Sequence, residues 1–169
     1  VKSGGEISKL GRAVRISREI LHSLKLKPAM SERDVVRELA IHCAKRYVSF
    51  AFPPIVAAGQ NTRFPHHVPT KKKLGRGIVL VDFGVKFEHY CADLSRCYFL
   101  GPCKEEKKRY EEARKLHRIM VKHLPACRTG GELAKFADAQ VKKMGWGRML
   151  HSIGHGIGLE VHDPPHLGL

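Results

Sequence analysis

The chain has 169 residues, 43% of them hydrophobic, and a formal net charge of +15 with histidine neutral. That length suits one domain with a sizeable core, about 150 residues being the usual domain size, and no run of about 18 apolar residues is present to span a membrane. No secretory signal pattern is present, and five cysteines, at 43, 91, 97, 103 and 127, are odd in number without CxxC spacing, which fits reduced, cytoplasmic thiols better than a disulfide framework.

Residues 5–26 and 32–46 read as two helices. The second opens on Ser31 with Asp34 three residues later, in the manner of a capping box. Strand-like segments follow at 48–57 and 77–100, then two more helices at 103–124 and 130–144, punctuated by Pro125 and Gly130–Gly131. One strand-like region at 148–163 comes next. The order helix, helix, strands, then helix, helix, strand predicts an α+β domain over 1–169 with an internal duplication, the first repeat about 5–100 and the second about 103–169. The second repeat is shorter by roughly one hairpin, ~30 residues on that repeat logic.

The hairpin sequence VLVDFGVKFEHYCADLSRCYF holds two carboxylates, Asp82 and Asp93. With the turn centred between Phe87 and Glu88 they oppose each other directly, and opposed Cβ atoms lie about 4.5–5.5 Å apart. Like charges that close resolve into a shared proton or a bound cation. Asp82 also interrupts the apolar run Val79, Leu80, Val81, Phe83, the mark of a buried strand, where an unpaired carboxylate is costly.

Further on, HSIGHGIGLEVHD offers His151, His155 and His162. Carboxylates with imidazoles suit Mn, Co, Fe or Zn. Gly154, Gly156 and Gly158 argue against a zinc-protease helix and for a strand or bulged strand. On a strand His151 and His155 share a face, and His162 joins them only if a bulge intervenes. The alternatives are ordinary loop histidines and, for Asp82 alone, a solvated strand position. Zinc ligation by Cys97 and Cys103 is weaker than simple core packing.

The runs PHHVPT, VDFGVKFEHYCADLSRCYFLG and HSIGHGIGLEVHDPP resemble the signature segments of the pita-bread metallopeptidases, the superfamily of methionine aminopeptidase, Xaa-Pro aminopeptidase and Xaa-Pro dipeptidase. The resemblance implies a pita-bread fold with a pseudo-two-fold repeat, the second repeat truncated at its C-terminal end. It implies two divalent metal ions, with Asp82, Asp93 and His155 as ligands. It assigns His66 and His162 to the substrate and the tetrahedral intermediate; beside them, His151 is placed to orient a ligand or contact substrate. Arg96 after the second Asp, the Pro65-His66 pair and His151 are similar to the Xaa-Pro branch, with methionine aminopeptidase as the alternative. The family completes its site with two glutamates on later strands; Glu160 matches neither, so three of five ligands are present, and partial or no metal occupancy is compatible with this chain. The opening VKSGGEIS is similar to the start of the family's catalytic domain. The implied partners are a peptide substrate and a homodimer.

The charge supports a competing reading. Lys71–Lys73 precede the strand, and Lys104, Lys107, Lys108 and Arg109 crowd the start of the third helix. Such an excess attracts polyanions, so an inactive pita-bread module binding RNA, ribosome or chromatin is the runner-up. Aromatic residues, at 7%, do not interleave with the basic ones as in a base-stacking platform.

Overall fold

The computed structural model describes residues 2–147, 149 and 152–168. Helix α1 spans Gly4–Ser23 and α2 spans Glu32–Ala44. Each begins with a capping box, Ser3 with Glu6 and Ser31 with Asp34. In the second, the Asp34 N–H donates to Ser31 Oγ at 3.2 Å while Asp34 Oδ2 accepts from the Ser31 N–H at 2.7 Å, so two otherwise unpaired donors are satisfied where the helix starts. Ala13, Ile16, Ser17, Ile20 and Leu21 of α1, and Val35, Leu39 and Cys43 of α2, are buried at helical spacing.

Six strands follow: β1 (Ser49–Phe50), β2 (Ile55–Ala58), β3 (Gly77–Phe83), β4 (Val85–Phe87), β5 (Tyr90–Cys91) and β6 (Leu94–Leu100). β3 is the centre of an antiparallel sheet ordered β2-β3-β6, and β1-β4-β5 form a second. Along β3 the side chains alternate, as strand geometry requires. Val79, Val81 and Phe83 are fully buried in the core with α1 and α2, whereas Ile78, Leu80 and Asp82 are half-buried on the opposite face.

The hairpin that carries Asp82 and Asp93 turns one residue later than the sequence predicts. Phe83 pairs with Leu94 and Phe87 with Tyr90, so the centre lies between Glu88 and His89. Both residues are left-handed, at φ 46° and 72°, the signature of the two-residue turn that matches strand twist. Moving the centre by one shifts every pairing by two. Gly84, where β3 gives way to β4, permits the bend: a Cβ there would lie 1.7 Å from the Ala92 carbonyl oxygen. Ser17 inside α1 holds the same corner, its Oγ accepting from the Val85 N–H at 3.0 Å.

The chain divides into two compact units, Val1–Glu106 with Ile157–Val161, and Lys107–Gly156 with His162–Leu169. The second unit holds most of α3 (Lys104–His123) together with α4 (Gly130–Lys143), β7 (Gly154–Gly156) and β8 (Asp163–Leu167). Thr129 caps α4, its Oγ1 accepting from the Glu132 N–H at 3.2 Å. Leu133, Ala134, Ala137 and Val141 are the buried face of that helix, which packs against β8. The region 148–163 is not one strand, contrary to expectation. β7 pairs antiparallel with β8, His155 opposite His166 and Gly156 opposite Asp163, with a register shift between His155 and Gly156. Gly156 makes this pairing possible, since a Cβ there would lie 2.4 Å from the Pro164 carbonyl oxygen. Among the described residues no helix is long and apolar enough to cross a membrane.

Candidate active site

In the first unit Asp82 faces Ser95 across β3 and β6, not Asp93. Ser95 Oγ donates to Asp82 Oδ1 at 2.8 Å. The expected direct opposition of the two aspartates is therefore corrected: Asp93 lies two residues before Ser95, just ahead of β6, and so is diagonal to Asp82. In a regular ladder that diagonal is about 7–8 Å instead of about 5 Å, which eases like-charge repulsion and leaves room between the carboxylates. Asp82 is half-buried, not enclosed within the core.

His66 is exposed on the loop between β2 and β3, with Phe64 and Val68 beside it also exposed. Its neighbour His67 points inward, where Nε2 donates to Glu32 Oε2 at 2.9 Å. Glu32, the first residue of α2, is 0% exposed. Burial by itself raises its pKa, yet the hydrogen bonds from His67, Thr70, Ala58 and Asn61 outweigh that and bring it down to about 2.

In the second unit His155 and His162 meet edge to face, ring centres 4.3 Å apart. The His155 Nδ1–H donates to the Gly156 carbonyl at 2.9 Å. Because a carbonyl can only accept, that contact makes Nδ1 the protonated ring nitrogen. His155 is half-buried and His162 exposed. His151 lies outside the described residues.

Among the described residues no three His, Cys, Asp or Glu side chains gather into a group that could hold a metal ion. By donor type, the carboxylates of Asp82 and Asp93 in the first unit and the imidazole of His155 in the second are each of a kind that divalent cations accept. All five cysteines are free thiols. Burial pushes Cys43 up to about 11 and raises Cys91 and Cys97 as well, as expected of inert packing groups. Sequence reasoning missed Ser95, Glu32 and His67. Ser95 was visible in the DLSR motif, but its role depends on the register; Glu32 reads as an ordinary acidic first-turn residue.

Comparison with known proteins gives the family and the fold. The model of Metallopeptidase family M24 matches residues 8–168. An uncharacterized peptidase of Methanocaldococcus jannaschii is 34% identical over 99% of this chain and 49% of its own length. A Xaa-Pro dipeptidase of Pyrococcus furiosus is 33% identical over 69% of this chain and 34% of its own. The crystal structure of an X-Pro aminopeptidase from Thermotoga maritima superposes with a TM-score of 0.90 at 31% identity, covering 99% of this chain and 49% of that one. A prolidase from Pyrococcus horikoshii gives 0.91 at 28%, covering 99% and 50%. The chain spans about half the length of the relatives it matches. Its α+β pita-bread fold is the one these structures share. A match that runs almost end to end, through each segment that carries a candidate ligand, means that the chain belongs to Metallopeptidase family M24.

Proposed function

We propose that this chain belongs to a metal-dependent peptidase that hydrolyses the first peptide bond of substrates with proline in second place, as an Xaa-Pro dipeptidase or aminopeptidase does. The observation that carries the reading is the His155–His162 pair, 4.3 Å apart, with the His155 tautomer set by the Gly156 carbonyl. Metal-ligating imidazoles commonly donate their other ring N–H to a carbonyl in this way.

Asp82, Asp93 and His155 would hold the metals, with two further carboxylates at positions that Glu160 does not match. When bound, a divalent pair lowers the pKa of water enough to give hydroxide near neutral pH. Ser95 orients the Asp82 carboxylate through its 2.8 Å hydrogen bond. His66 and His162 donate hydrogen bonds to the charge that develops on the scissile carbonyl oxygen, each contributing about 3 kcal/mol. His151 orients a ligand or meets the substrate.

The full-length protein, given Mn or Co, should cleave Ala-Pro peptides and lose that activity with a chelator. Cleavage of a Met-Ala series in preference would make it a methionine aminopeptidase. A second reading, a polyanion-binding module, draws on α3: none of its described residues is buried, and it carries Lys107, Lys108, Arg109, Lys115, Arg118 and Lys122 on exposed positions.

A further inference from the structure

We infer that Glu32 is the positioning residue for the loop that bears His66, fixing that loop from below through a single buried carboxylate. The inference rests on the reading of His66 as a group that meets the substrate. Among the described residues, every side-chain partner of Glu32 comes from the segment 58–70. Oε1 accepts from the Ala58 N–H at 3.0 Å and from Asn61 Nδ2 at 2.8 Å. Oε2 accepts from His67 Nε2 at 2.9 Å, from the Thr70 N–H at 2.9 Å and from Thr70 Oγ1 at 2.8 Å. These anchors bracket the stretch Thr62–His66, whose Phe64 is 63% exposed and whose His66 is exposed.

Neighbouring contacts close the same frame. Lys72 Nζ donates to the Ala58 carbonyl at 2.9 Å. The Glu32 N–H donates to the Lys72 carbonyl at 3.0 Å and the Arg33 N–H to the Thr70 carbonyl at 3.1 Å, so the start of α2 also grips the loop by its backbone. An enclosed carboxylate is costly unless donors surround it, and here all of them are drawn from one loop. A loop that must hold a hydrogen-bond donor in place needs fixed anchors, because loops are otherwise the mobile part of a domain and a misplacement of about 1 Å can cost ~100-fold in rate.

The test is a double-mutant cycle in the full-length protein, with hydrogen exchange read alongside. Glu32→Gln keeps the shape but turns a donor toward donors. Amide exchange across 59–70 should quicken about tenfold or more while the amides of α1 stay protected. On an Ala-Pro substrate kcat should fall about 10–100-fold, with KM little changed. In a His66→Ala background, adding Glu32→Gln should cost almost nothing more, since both changes act through one group. Unchanged loop exchange, or losses that multiply in full in the double variant, would overturn the inference. Should Glu32→Gln fail to fold, Thr70→Val, which removes one donor at the outer edge, is carried through the same cycle. A wild type that cleaves no peptide defeats the functional reading, and the exchange comparison then decides the positioning by itself.

Discussion

Ser95 stands directly across from Asp82 and gives its hydroxyl hydrogen to Oδ1 at 2.8 Å. A carboxylate held that way keeps one orientation, which is what a ligand of a cation requires. Ser95→Ala should therefore lower metal affinity of the full-length protein about 10–100-fold. Stability should change by only about 0.5–1.5 kcal/mol, the usual net worth of one hydrogen bond. Titration with Mn followed calorimetrically, with urea unfolding beside it, separates the two. A stability loss with metal affinity intact would show that the contact serves only the sheet.

Asp82→Asn and His155→Ala each remove a proposed ligand, and both should abolish metal binding and turnover while circular dichroism stays native. RNA retention on a column supplies the opposing arm. Under the polyanion reading, retention survives both substitutions and falls steeply with salt, and the wild type hydrolyses no peptide.

On the proposed assignment, Asp82, Asp93 and His155 are three of the five ligands that the family pattern calls for. The isolated 169-residue chain should show at most about 1% of the turnover of the full-length protein on Ala-Pro, since even an outer partner of a ligand is worth about 10–100-fold. Strong, chelator-sensitive hydrolysis by the short chain would mean that other residues supply the base.

Gly84 and Gly11 should answer alanine in opposite directions. At Gly84 the added carbon would sit 1.7 Å from a backbone oxygen, which cannot step aside as a flexible side chain can, so Gly84→Ala should cost about 3 kcal/mol, the upper end of the usual overpacking range. At Gly11, inside α1 and exposed, nothing lies within 4 Å. Gly11→Ala should stabilise by about 0.5–1 kcal/mol through helix propensity. Urea midpoints of the two variants check both.

Stability should fall in acid because of Glu32. Its folded pKa is lowered from 4.5 to about 2, so the ionised form is favoured by folding. The contribution is complete above about pH 4.5 and is lost as pH drops through about 2, a swing of about 3 kcal/mol. Glu32→Gln should flatten this part of the pH profile. An equally steep decline in the variant would assign it to other carboxylates.

Helices, caps and candidate ligands were legible because their causes are local. Ser31 and Asp34 cap α2 through residues three apart, and apolar spacing marks the buried faces of α1 and α4. Asp82, Asp93 and His155 stand out by residue type in patterned segments. The register that separates Asp82 from Asp93 was not legible: Glu88 and His89 occupy left-handed positions that glycine or asparagine usually mark, so no turn signal fixed the centre. Nor was the split of 148–163 into β7 and β8, which depends on the close approach of Gly156 to Pro164. Glu32 became a buried hub only when the segment 58–70 folded over the start of α2, a contact between distant parts of the chain that residue spacing does not encode.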